Sequence, residues 1–189
     1  MDDNARELES DMGARIRSVA LELFTKQGYE KTSLRQIAER LGVSKAAVYY
    51  HYRTKVSILD DLLRPLADGE EEIIDAAHYV SVEKPEGRYQ IIVRFIDLLL
   101  EHRELATYVM TDIVGASNSR MVPRLQRYDR QLIEMLSPEG VPRAEQVRAL
   151  SAFGAVMAVL TLAEVPSEEL RPLVLQTARD ALRVPDVVS

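Results

Sequence analysis

Two short apolar-striped stretches, Leu34–Leu41 and Lys45–Tyr52, are separated only by Gly42, Val43 and Ser44. In the first, Leu34, Ile37, Ala38 and Leu41 recur at helical spacing on one face. Ser33 and Gln36 form the S-x-x-Q capping box that starts a helix, and Gly42 stops it. Ser44 is then a suitable N-cap for the second stretch. Helices joined by so tight a turn cannot lie antiparallel. They cross steeply, as a helix-turn-helix.

Helical periodicity holds along the rest of the chain, and the expected fold class is all-α. Upstream, Ile16, Val19, Ala20, Leu23 and Phe24 make a single apolar stripe over Met12–Gln27, ended by Gly28. Downstream, Thr54 caps a helix carrying Ile58, Leu59, Leu62, Leu63 and Leu66, with a kink expected at Pro65. The acidic run Glu70–Glu72 reads as a solvated face, and Val80–Gly87 as a loop. Further helices are expected near Arg88–Glu101, Glu104–Val114, Asn118–Leu136, Arg143–Glu164 and Glu168–Leu182. This divides the chain into a flexible acidic N-terminus (1–11), a three-helix helix-turn-helix domain (12–56) and a helical body (57–189).

Charge follows the same division. Between Met12 and Lys55 there are nine basic and three acidic residues, a net +6. The whole chain carries −6, so the remainder carries −12. A basic segment on an acidic body fits one small region that meets phosphate. Cysteine is absent, which excludes disulfide scaffolds and Cys-bound zinc. No H-E-x-x-H, G-x-S-x-G or P-loop pattern occurs, so no enzyme activity and no cofactor are expected. Asp75 and His78 are too few to hold a metal. The apolar stretch Ala149–Ala163 is shorter than the ~20 residues that span a bilayer. The N-terminus does not read as a signal, so a cytoplasmic protein without membrane contact is expected.

The second helix of a helix-turn-helix points its N-terminal part at base edges in the major groove. Lys45 there can donate to guanine, and Ala46 and Ala47 allow close approach. Tyr49 and Tyr50 offer a flat ring and a hydroxyl to sugar, thymine methyl or phosphate. Ser33 heads a helix and can bind phosphate there. Val43 and Val48 should turn inward, and Tyr52 should be core.

The run Gly28-Tyr29-x-x-Thr32-Ser33-Leu34-Arg35-x-Ile37-Ala38-x-x-Leu41-Gly42-Val43-Ser44-Lys45-x-x-Val48-Tyr49-Tyr50-His51-Tyr52-x-x-Lys55 resembles the DNA-binding domain of TetR-family transcriptional regulators. The likeness covers Ile16–Leu59. The resemblance implies DNA contacts by Arg35, His51 and Lys55. It implies a regulator, most often a repressor, whose C-terminal domain (57–189) binds a small-molecule effector and changes the spacing of two reading heads on palindromic double-stranded DNA. Candidate pocket residues are Phe95, Leu99, Tyr108, Met110, Asp112, Met121, Tyr128, Phe153 and Met157. Asp112 shares a face with Leu105, Tyr108 and Val109, where a carboxylate is costly unless paired. An arginine partner is expected, and a cationic ligand is the alternative. Met1–Asp11 is acidic, so no minor-groove arm is expected.

The last two helices supply a dimer face. Ala149–Ala163 is apolar nearly all round, and Ala152, Gly154, Ala155, Ala158, Ala178 and Ala181 permit close helix approach. Two such helices from each of two chains make a four-helix bundle. A helical protein-interaction module is an alternative, though it leaves the +6 segment unexplained. A DNA-binding regulator controlled by a protein partner is another.

Overall fold

A computed structural model describes residues 2–162 and 164–184, with side chains from Asp11 onward. Among the described residues every regular element is helical. They are α1 (Asp2–Gln27), α2 (Leu34–Leu41), α3 (Lys45–His51), α4 (Lys55–Ala77), α5 (Pro85–Glu101), α6 (Arg103–Thr111), α7 (Ile113–Ala116), α8 (Val122–Leu136), α9 (Arg143–Val159) and α10 (Ser167–Leu182). No described helix is long and apolar enough to cross a membrane.

The contacts divide the chain into two compact units, and the division differs from the one at residue 56. Unit 1 is the chain up to Pro65 together with Tyr108–Val122. Unit 2 is Leu66–Thr107 with the chain from Pro123 on. The start of α4 stays with unit 1 because Ile58, Leu59 and Leu63 are fully buried. The unit 1 core is Ile16, Ala20, Phe24, Tyr29, Ile37, Ala38, Val48 and Tyr52, closed by Tyr108 and Ala116. On α1 the buried stripe is narrower than expected, for Val19 and Leu23 are only half-buried. The backbone from Asp2 to Asp11, expected to be flexible, is the first part of α1. Ala5, Arg6, Glu7, Leu8 and Glu9 are all good helix formers.

Segment 108–122 departs furthest from the periodicity. The single helix expected over Glu104–Val114 stops at Thr111, and Asp112 caps the four-residue α7 instead. One Asp112 carboxylate oxygen accepts from the Gly115 N–H at 2.9 Å. The other accepts from the Tyr29 N–H, also at 2.9 Å. A Cβ on Gly115 would lie 2.2 Å from that carboxylate and 2.7 Å from the Tyr29 Cβ. Only glycine lets the turn sit so close.

In unit 2 the buried residues include Leu66, Ile73 and Ile74 of α4, Ile92, Phe95, Ile96 and Leu99 of α5, and Leu125, Tyr128 and Leu132 of α8. Ala149, Ala152 and Val156 of α9 and Leu170, Val174 and Ala178 of α10 join them. Pro85 opens α5 three residues before the expected start, in the first turn where its missing N–H costs nothing. The buried Arg88 holds the preceding loop, donating to the carbonyls of Val82 and Glu83 and to Glu145 at 2.8 Å. The helix expected to reach Glu164 ends at Val159, and Arg103 donates to the carbonyls of Leu160, Leu162 and Val165 that follow it. Asp97 of α5 is gripped by Arg171 of α10 at 2.7 and 3.0 Å.

Asp112→Ala removes a helix cap and leaves the Tyr29 N–H unpaired, and should cost about 2–3 kcal/mol. Asp112→Asn, with one acceptor oxygen left, should lose roughly half of that. Urea unfolding of the two variants gives the comparison.

Candidate nucleic-acid interface

Helix α3 is positioned by caps at both ends of α2 and by a cap at its own start. Ser33 accepts from the Gln36 N–H at 3.2 Å, and the Gln36 side chain accepts from the Ser33 N–H at 2.9 Å. That is the complete capping box. At the other end of α2, Gly42 has φ of +69°, a conformation that favours glycine. The next N–H, that of Val43, closes back on the Ala38 carbonyl at 3.1 Å. Ser44 then caps α3, accepting from the Ala47 N–H at 3.2 Å. Val48 is fully buried and anchors α3 on the core, while Val43 is only half-buried.

This anchoring decides what α3 shows outside. Lys45, Ala46, Tyr49 and Tyr50 are exposed, Tyr50 at 73% and Tyr49 at 40%. Ala47 and His51 are half-buried. The Lys45 ammonium lies 5.0 Å from the Tyr49 ring centroid, and the Tyr50 and His51 rings meet edge-on at 5.3 Å. Ser33 and Arg35 are exposed on α2, with Arg35 paired to Glu39 at 2.7 Å. Tyr52 is core, as its position predicts. Its hydroxyl accepts from Arg17 at 2.9 Å and donates to Asp61 at 3.1 Å.

Lys55 stands apart from the other candidates. Its ammonium is 3.9 Å from the Tyr29 ring centroid and donates to the Tyr29 carbonyl. Burial lowers its pKa, with Glu30 opposing. The side chain is part of the scaffold behind the reading helix. The segment's positive charge is also partly spent internally. Glu22 takes both Lys26 and Arg40 at 2.8 Å.

Two anchors in unit 1 escaped the sequence. Asp112 pairs with backbone N–H groups rather than with an arginine. A carboxylate on an apolar face was a sound signal, but its partner is 83 residues away. Asp60 is the second. Its carboxylate accepts from the Ser119 hydroxyl at 2.7 Å, the Arg120 N–H at 2.8 Å and the Arg120 guanidinium at 2.7 Å. Burial pushes its pKa up, but these bonds outweigh burial and hold it below the usual range.

The nine candidate pocket residues do not share one unit. Tyr108, Met110, Asp112 and Met121 fall in unit 1, whereas Phe95, Leu99, Tyr128, Phe153 and Met157 fall in unit 2. Tyr108 packs its ring 5.9 Å from that of Phe24, and its buried hydroxyl has no partner. Burial, then the charge of Asp112, drives that hydroxyl's pKa far upward. Phe95 is stacked on Phe153 at 4.7 Å.

A chain of helices whose α2 and α3 form a capped, outward-facing pair on a buried core has a helix-turn-helix fold of the DNA-binding class. Residues 16–62 match the family described as bacterial regulatory proteins, tetR family. A negative transcriptional regulator of a biofilm operon, IcaR of Staphylococcus aureus, is 32% identical over 98 residues, covering 52% of each chain. The transcriptional regulator SrpR of Pseudomonas putida is 28% identical over 127 residues, covering 65% of this chain and 58% of its own. The chain thus spans about half the length of the curated relatives it matches. Among solved structures, a TetR-family regulator from Bordetella parapertussis superposes with a TM-score of 0.66 at 20% identity, covering 93% of this chain and 98% of that one. AmtR of Mycobacterium smegmatis gives 0.62 at 26% identity, covering 90% and 86%. Residues 16–62 thus match the DNA-binding domain of the tetR family, and the chain shares its fold with solved TetR-family regulators.

The site separates displayed side chains from structural ones, and stability should separate them too. Lys45→Ala should leave unfolding within about 0.5 kcal/mol of wild type. Lys55→Ala, which empties the position over the Tyr29 ring, should cost about 1–2 kcal/mol. Thermal or urea unfolding of both variants is the check.

Proposed function

We propose that this chain is a homodimeric transcriptional repressor acting in the cytoplasm, which binds a palindromic operator and leaves it when a small molecule binds the helical body. The observation that carries the reading is α3. It presents Lys45, Ala46, Tyr49 and Tyr50 outward from a backbone fixed by two serine caps, Gly42 and the buried Val48. A short rigid helix bearing a cation, small residues and hydroxyl-tipped rings suits a major groove. Ser33, at the N-cap of α2, would meet phosphate, Arg35 would meet a base or phosphate, and His51 closes the far end of α3. Lys55 serves from behind, through Tyr29.

The dimer face is the outer side of α9 with part of α10. Val147, Leu150, Gly154 and Ala158 are exposed at helical spacing, continued by Leu162. On α10, Leu173 is 62% exposed and Thr177 is exposed. Solvent-facing apolar residues aligned over about three helical turns mark an interaction surface. A surface on one chain that meets its own copy closes as a two-fold dimer, which matches the two-fold symmetry of a palindrome.

On duplex DNA enriched by the wild-type protein, Lys45→Ala and Tyr49→Ala should each weaken binding at least tenfold, with the dimer intact. Fluorescence anisotropy reads the first quantity and light scattering the second. Unchanged affinity in both variants contradicts the assignment.

A Cβ on Gly154 would meet nothing within 4 Å. Gly154→Arg should therefore leave the protomer folded and shift the mass from two chains to one. An undiminished dimer would place the interface elsewhere.

A further inference from the structure

Glu70 belongs to an acidic run that the sequence presents as solvated, and Glu71 and Glu72 are indeed exposed. Glu70 is not. It is 5% exposed and lies on the buried stripe of α4 with Leu66, Ile73, Ile74 and Ala77. Its Oε2 is shielded from solvent and has no hydrogen-bond partner. Helix α8 faces it with a second acid. Arg124 of α8 pairs with Asp68 at 3.1 Å and with Glu71 at 2.9 Å, and Tyr128 hydrogen-bonds Glu71. Asp129 is half-buried, and its charge acts on Glu70.

Glu70 is thus a carboxyl in an apolar part of unit 2, with one oxygen unpaired and a second carboxyl, that of Asp129, acting on it by charge. Arg124 is engaged by Asp68, Glu71 and Tyr128, and Arg127 by the Tyr128 ring and hydroxyl. No lysine or arginine pairs with Glu70 or Asp129 among the described residues. Burial, then Asp129, raises the Glu70 pKa to about 9, and burial raises that of Asp129. Glu70 therefore keeps its proton at neutral pH. Such an arrangement is costly unless something completes it. No group of three or more His, Cys, Asp or Glu that could hold a metal exists among the described residues. A quaternary ammonium would supply charge but no donor for the bare Oε2. A protonated amine supplies both.

We infer that Glu70 and Asp129 form a binding site for the protonated amine of an effector with an apolar body. The ammonium donates to Glu70 Oε2 and faces Asp129, and Glu70 gives up its proton as the amine binds. The inference rests on the reading above that a small molecule controls this chain, and it names that molecule's class. The carboxylate that the sequence singled out for such a role, Asp112, is already satisfied by two backbone N–H groups.

The test is calorimetric titration of the full chain at pH 7 with primary ammonium ions from methylammonium to 2-phenylethylammonium, each against its neutral alcohol. An ammonium in the series should bind at least tenfold more tightly than its alcohol. In buffers of different ionisation enthalpy it should release close to one proton. Glu70→Gln and Asp129→Asn should each abolish the preference. Glu70→Gln keeps the shape of the neutral acid, so it should fold. In the unfolded chain Glu70 ionises from about 4.5, but in the folded chain only near 9. Its contribution to stability is complete below 4.5 and is lost as pH rises towards 9. The variant should therefore gain in melting temperature over wild type across that interval and not below it. Equal binding of amine and alcohol throughout the series, or a preference that survives both substitutions, overturns the site. Amine binding that leaves operator affinity unchanged upholds the site and refutes small-molecule release. Release by neutral compounds alone does the reverse.

Discussion

The backbone of Tyr29 is held on both sides. Its N–H is bound by Asp112 from the α6–α7 turn, and its carbonyl by Lys55 from the start of α4. The ring between them packs on Phe24 of α1 at 5.2 Å and lies beneath the Lys55 ammonium. One residue so joins the end of α1, the beginning of α4 and the segment 108–122. Helix α3 depends on this junction. The core that buries Val48 is formed by the same helices, and α3 has only seven residues of its own. A helix of that length does not hold its shape without tertiary support.

The junction also explains why unit 1 includes residues distant in sequence. Asp112 and Asp60 each use a carboxylate to bind one part of 108–122 and leave no acceptor idle. A carboxylate whose oxygens are all paired, whether buried like Asp60 or half-buried like Asp112, specifies one arrangement, because any shift leaves a donor or a charge without its partner. Movement within 108–122 is therefore felt at Tyr29 and at Lys55, directly behind α3. Unit 2 holds the opposite case. There Glu70 is buried with one carboxyl oxygen unpaired, and the chain carries the cost of that.

Much of the helix-turn-helix was legible because its determinants are local. The Ser33–Gln36 box, the glycine at positive φ and the Ser44 cap all act within a few residues. The helices of unit 2 were legible for the same reason, though α8 starts at Val122 rather than Asn118 and α9 stops at Val159, short of Glu164. What could not be read was partnership over distance. Asp112 stood out as a carboxylate on an apolar face, but nothing in the sequence points from it to a backbone N–H near Gly28. Lys55 looked like a phosphate contact and is engaged by Tyr29. Glu70 was missed for a different reason. It was read with its neighbours as a charge run, although its spacing from Leu66, Ile74 and Ala77 places it on the buried stripe.

In the function proposed here, α3, presented twice by a symmetric dimer, reads a DNA sequence. Selection of duplexes from a random pool by the purified protein, at near-physiological salt, tests it most directly. The account predicts enrichment of a palindrome with half-sites about one helical turn or somewhat more apart. Recovery of a random pool by a folded dimer would contradict it.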